Sequence, residues 1–228
     1  KIDFSRYNYF YASFLHNSGR IHDAKNILSS STKTYPRNLL LNQYKIDLTK
    51  DENFKSNFNC KDRSNVIAEI FYITANAFSS QSMYSLSNFY LNLSKYLNKE
   101  FISFDTLLAE NFYKKENFKK SKKIYDQMKK QGSAYLWYAA KQKAKILLIE
   151  KKDEEAIKLM SDSYEKLNYK NFYDTFDFAE FLKRNEKYEK AINYYSKIIQ
   201  SIDKTHPLYP EITDGRGVAY ERLGDWDN

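Results

Sequence analysis

Three stretches decide the fold: AENFYKKENFKKSKKIY at 109–125, AKILLIEKKDEEAIKLM at 144–160 and AEFLKRNEKYEKAINYY at 179–195. Their opening alanines, Ala109, Ala144 and Ala179, stand 35 residues apart (144 − 109 and 179 − 144). Twelve positions on comes a second small residue, Ser121, Ala156 or Ala191, and four after that a bulky one, Tyr125, Met160 or Tyr195. Small residues at fixed offsets within such a period mark an array of stacked helix pairs. Two helices approach closely only where a crossing residue is small, and the next bulky side chain fills the gap above it.

The same frame extends outward. Apolar residues at three- and four-residue steps predict helices over 134–149, 155–167, 173–183 and 188–202, with an earlier pair over 104–114 and 118–130. Ser133, after Gly132, reads as a helix N-cap. Phe71, Ala75, Phe78, Ser87 and Leu91 fit one step upstream, with Ser87 34 residues before Ser121 (121 − 87). At the N-terminus Ala12, Leu15, Ala24 and Leu28 repeat the pattern around a turn at 17–20. The interval from Ala24 to Ser87 is 63 residues (87 − 24), room for two units, yet only one further helix, 38–49, is evident there. KDENFKSNFNCKD at 50–62 is polar and reads as an irregular loop or a degenerate second helix.

This pattern resembles the tetratricopeptide (TPR) repeat of bacterial proteins. The resemblance implies an all-α chain, a right-handed α-solenoid of stacked antiparallel helix pairs forming a single array over 1–228. Its units fall at about 5–36, 38–63 (degenerate), 64–98, 102–132, 133–168 and 171–206, with a half unit at 210–228. RGVAYERLGDWDN at 216–228 is similar to a TPR first helix and turn, so the final repeat is expected to be truncated. Its apolar side chains Val218, Tyr220 and Leu223 would then be bare and a point of self-association. NVIAEIFYITANAFSSQ at 65–81 and ITDGRGVAYERLGDW at 212–226 are also similar to long TPR proteins of many bacteria, some of them envelope-associated. Cytoplasm and cell envelope both stay open as the compartment.

Composition agrees with an all-helical fold. Only 5 Gly and 3 Pro are spread over 228 residues, little material for hairpins. Aromatic residues make up 17%, with 21 Tyr and 16 Phe, types suited to helix seams and groove walls. The net charge of +8 invites a nucleic-acid reading, but Lys alternates with Glu and Asp, and Lys, Asn, Tyr, Phe and Ile rise together, as in a compositional bias. Cys60 is the only cysteine, so no intrachain disulfide forms. No apolar run of 18 residues predicts a membrane span.

Nothing in the sequence points to catalysis, a cofactor or a metal. His16, His22 and His206 have no ligand spacing, His16 and His22 flank a turn and read as surface residues, and no glycine-rich phosphate loop or nucleophile motif is present. The acidic clusters at 153–155 and at Glu186 and Glu189 sit at turns and helix N-termini, where they favour the helix dipole.

The TPR resemblance implies that the first helix of each unit faces a concave groove. In that register the groove carries Tyr72 and Asn76, then Glu110 and Tyr113 beside Thr106, then Tyr138, Lys141 and Lys145, then Tyr173, Phe176 and Glu180. Tyr9 and Ser13 precede them, and Asp214 and Val218 follow. The expected function is a non-enzymatic protein–protein interaction scaffold holding a peptide or helix in this Tyr-rich groove. The Lys and Asn arrangement that clamps a terminal carboxylate in some TPR domains is not reproduced, since Thr106 and Phe176 stand beside the Lys141 and Lys145 rung. Two alternatives stay open: a helical-repeat RNA binder of the pentatricopeptide kind, or the TPR portion of a longer enzyme. Glu110 and Glu180 would repel phosphates, which disfavours nucleic acid.

Overall fold

A computed structural model describes residues 4–51, 56–101 and 103–225. All regular structure among them is helical. The chain divides into two compact units, Lys1–Ala139 and Ala140–Asn228. The first holds α1 (Ser5–Asn17), α2 (Ile21–Thr34), α3 (Leu39–Lys50), α4 (Arg63–Ser80), α5 (Tyr84–Leu97), α6 (Ser103–Lys114) and α7 (Phe118–Met128), closed by a 3-10 turn at Lys129–Gln131. Helix α8 (Ser133–Ile149) runs through the boundary. The second unit continues with α9 (Asp153–Glu165), α10 (Phe172–Arg184), α11 (Tyr188–Ser201) and α12 (Tyr209–Leu223).

The small-residue frame lies in the interior. Ala109, Ala179, Ser121, Ala156 and Ala191 have no exposed surface, and Tyr125, Met160 and Tyr195 beside them are buried. Upstream, Ala12, Ala24, Leu28, Ala75, Ser87 and Leu91 are buried in the same way. Within the first unit α4 packs on α5, α6 on α7, and α4 also meets α6. In the second, α10 packs on α11, α11 on α12 and α10 on α12, so consecutive pairs stack through their first helices. At Gly215 of α12 a methyl group would stand 2.9 Å from the Tyr195 hydroxyl and ring and 3.1 Å from Glu180 Oε1, so only glycine lets α12 lie this close.

One turn recurs within the helix pairs and at the end of α12. Gly19, Ser82, Glu116, Lys151, Glu186 and Gly224 have φ between 56° and 78°, the left-handed region. The amide of the next residue donates to the carbonyl five positions back: Arg20 to Leu15, Met83 to Phe78, Asn117 to Phe112, Lys152 to Leu147, Lys187 to Leu182 and Asp225 to Tyr220. This is the Schellman ending, which satisfies the carbonyls a helix leaves open.

Two sequence expectations are corrected and a third gains a feature. The stretch at 50–62, read as an irregular loop or a degenerate second helix, has no helix over 56–62 and contributes Phe58 to the core, its ring 4.3 Å from Phe10 and 5.5 Å from Phe101. Two phenylalanines, Phe54 and Phe58, in an otherwise polar run set up too little periodicity to announce a core residue. Residues 52–55 of that stretch lie outside the described residues. Ser133 does not cap α8, for its hydroxyl is buried without a hydrogen bond. The Ala134 amide instead donates to the Gln43 carboxamide of α3 at 3.0 Å, a partner 91 residues away. His16, taken for a surface residue, is buried, with Nδ1 2.8 Å from the Tyr44 hydroxyl.

Candidate functional site

In the first unit the site grows around Arg6. Helix α1 is otherwise uncharged apart from His16, so its one guanidinium must find a partner as the helix packs. It finds the buried Glu69 of α4 in a two-pronged ion pair, with Arg6 Nη2 2.6 Å from Oε2 and Nε donating to Oε1. Arg6 Nη1 donates to the Ser103 hydroxyl of α6 at 2.9 Å. The guanidinium carbon also stands 3.9 Å from the centre of the Tyr72 ring, a stacked cation–π contact. Burial works against the charge of Arg6, but Glu69 together with Tyr72 and Tyr9 outweighs it and raises the pKa.

Beside this pair opens a pocket of about 390 Å³. Its walls are Ser5 and Arg6 of α1, Asn38 to Leu40 at the start of α3, Tyr72 and Asn76 of α4, Ser103 and Thr106 of α6, and Tyr135 of α8. Asn38 is held in place because its side chain caps α3 at the Leu41 amide, 3.0 Å, and donates to Ser5 at 2.9 Å. Thr106 turns its hydroxyl back to the Ser103 carbonyl at 2.6 Å, while Asn76 is exposed. Burial pushes the Tyr72 and Tyr135 hydroxyls up, so both stay protonated.

Of the expected groove residues in this unit, the structure brings Tyr72 and Asn76 together in the pocket, with Thr106. Glu110 and Tyr138 pair with each other: the Tyr138 hydroxyl donates to Glu110 Oε1 at 2.5 Å, and burial, then Glu110, push its pKa up. Tyr113 is half-buried against Phe118, 5.8 Å between ring centres. Tyr9 and Ser13 are not groove surface. Both are buried, and the Ser13 hydroxyl donates to the Phe58 carbonyl at 2.8 Å. The segment carrying Phe58 covers the face of α1 that the groove register left open.

The second unit is arranged differently. Lys141 is held by Asp177, 2.5 Å apart, so the expected basic rung is neutralised there, while Lys145 is exposed and reaches Gln142 at 3.3 Å. Glu180 accepts from the Tyr195 hydroxyl and from Lys183 at 2.7 Å, with Arg184 at 3.6 Å. Burial, then Glu180, push the Tyr195 hydroxyl up. Phe176 is only 3% exposed and offers no surface to a ligand. Tyr173 is half-buried against Phe172 and His206, 3.9 and 6.3 Å between ring centres. Asp214 is exposed and Val218 half-buried.

Arg6, Asn38 and Tyr135 were missing from the expected set. One signal was in the sequence: Arg6 is the sole charge in the aromatic stretch 4–15, and Glu69 the sole charge in the apolar stretch 64–80. Two isolated opposite charges on otherwise neutral helices invite pairing. Among the described residues no group of three or more His, Cys, Asp or Glu side chains is placed to hold a metal ion, and no helix is long and apolar enough to cross a membrane.

This chain is similar to a tetratricopeptide-repeat protein. The solved structure is that of YrrB, a TPR protein with an unusual peptide-binding site, at 14% identity and a TM-score of 0.45, covering 69% of this chain and 78% of that one. No protein-family model matches the sequence, and no curated protein matches it.

Proposed function

We propose that this chain is a non-enzymatic protein-binding module that takes an extended segment of another polypeptide against its first helices. The observation that carries this reading is the first-unit pocket, where Arg6, Tyr72, Asn76, Thr106 and Tyr135 meet. A peptide presents an amide donor and an acceptor at each residue and an apolar or polar side chain between them. The pocket answers with a carboxamide and hydroxyls beside aromatic walls. The ligand is therefore a protein or peptide. Arg6 is neutralised by Glu69 and Lys141 by Asp177, which weakens both as phosphate contacts and favours a peptide over RNA.

Peptides selected by display against the folded chain would be titrated against the wild type and an Asn76→Ala, Thr106→Val variant. The proposal expects at least a ~10-fold weaker dissociation constant with an unchanged helical signal, the size of one or two lost hydrogen bonds. Equal affinity for both proteins would remove the pocket from the account. Tight RNA binding with a steep salt dependence would replace it with the nucleic-acid reading.

A further inference from the structure

A different face of the first unit carries the largest apolar surface. Among the described residues, twelve of the fifteen exposed large apolar side chains belong to α1, α4, α5 and the residues that begin them. On α1, Tyr7, Tyr11 and Phe14 follow each other at four- and three-residue steps and share one side. Ile70 and Ile73 on α4 are each 55% exposed, and Phe89 on α5 is 57% exposed.

Side-chain contacts turn these stripes to one side of the unit. Arg6 of α1 bonds to Glu69 of α4, and Phe14, further along α1, has Lys61 just before α4 at 6.0 Å from its ring. The two helices are therefore antiparallel, with Arg6, Glu69 and Tyr72 in the seam. Tyr7, Ile70 and Ile73 each come one residue after a seam residue, about 100° further round the helix. For antiparallel neighbours that same step turns side chains to the same side. Across the next seam, Tyr90 of α5 packs on Phe78 of α4 at 5.5 Å between ring centres, and Phe89, one step before it, turns to that side too.

The face is almost free of charge. The three helices carry Arg6, Arg63, Glu69 and Lys95, and three of these four are taken up in the Arg6–Glu69 and Lys95–Asp105 pairs. The six side chains placed on this face, about half exposed, leave on the order of 600 Å² of apolar surface, given roughly 150–250 Å² for each aromatic ring. A stable pair needs about 800 Å² from each partner, about two-thirds of it apolar in homodimers.

We propose that this face is the contact of a two-fold symmetric homodimer. A second copy supplies an equal apolar, uncharged area, as a symmetric contact requires. An anionic lipid surface would instead need several cations around the apolar stripe; these helices leave only Arg63 outside an ion pair, and Lys61 stands over the Phe14 ring. Each copy carries a net charge of +8, so the copies repel at long range while the contact itself is neutral. Added salt screens that repulsion and tightens the dimer, the reverse of an association built on ion pairs.

Sedimentation equilibrium of the 228-residue chain tests this at low and high salt, with the Ile70→Glu, Phe89→Glu double variant beside the wild type. Both positions are exposed, so the fold survives, which circular dichroism and a thermal melt verify. The expected result is a dimer that strengthens with salt and whose dissociation constant rises at least ~100-fold in the variant, the loss typical of central interface residues. A Leu223→Glu change at the exposed end of α12 is expected to leave it intact. A wild type that stays monomeric overturns the proposal. So does a dimer indifferent to the double variant, one dissociated by Leu223→Glu alone, or a monomer that binds anionic vesicles through this face.

Discussion

The hydroxyl of Ser121 donates to the carbonyl of Ala109 at 2.9 Å, across the point where α6 and α7 cross. Ala24, Ala156 and Ala191 stand at the equivalent crossings and Ser87 at that of the α4–α5 pair, so this serine fills the small-residue place and adds a bond. Ser121→Ala keeps the close approach and loses only that bond. A loss of about 0.5–1.5 kcal/mol is expected in denaturant unfolding.

Ser82, Glu116, Lys151 and Glu186 hold a conformation that glycine adopts without penalty, as Gly19 and Gly224 do in the equivalent turns. Glu116→Gly, Lys151→Gly and Glu186→Gly should each stabilise by about 0.5–1 kcal/mol, the relief of left-handed strain exceeding the added freedom of the unfolded chain. Melting curves of the single variants check the sign, which is opposite to that of glycine inside a helix.

Arg6→Met leaves the carboxylate of Glu69 buried without its partner. A loss of about 3–5 kcal/mol is expected, most of it recovered in the Arg6→Met, Glu69→Leu double variant, where no charge is left inside. A double-mutant cycle by chemical denaturation measures the coupling.

Burial pushes the hydroxyls of Tyr44 and Tyr125 from the ordinary 10.0 up to about 12, and pushes Tyr9, Tyr135, Tyr138 and Tyr195 up as well. Above the unfolded value of about 10 the unfolded chain loses these protons first, so it binds fewer than the folded chain and stability falls as pH rises. Stability should hold up to about pH 9 and drop from about pH 10 toward 12. Tyrosinate absorbance during an alkaline titration should rise in step with the loss of helix.

The helix pairs were legible because side-chain size at a crossing is a local property that repeats. The predicted 188–202 and 118–130 differ from α11 and α7 by only a residue or two at the ends. Contacts between distant segments left no such trace. Gln43 caps α8 in place of Ser133, and Phe58 closes over Ser13, because two elements far apart in sequence meet only after the fold has formed. Tyr72 and Asn76, named together by the groove register, line one pocket, for both lie on one side of α4. That register put Phe176 in the groove because periodicity gives the side a residue occupies but not what packs against it. In the structure Tyr195 stands 6.3 Å from that ring.

Replacing the crossing alanines tests the account most directly. Ala156→Leu and Ala191→Leu put a branched side chain where no surface is exposed, and each should lose about 1–3 kcal/mol. For a chain of this length that lowers the melting temperature by roughly 2–10 °C, while Lys190→Leu, at an exposed position beside Ala191, should melt as the wild type does. Melting temperatures unchanged in both alanine variants would contradict the claim that small residues at a fixed step let these helices nest.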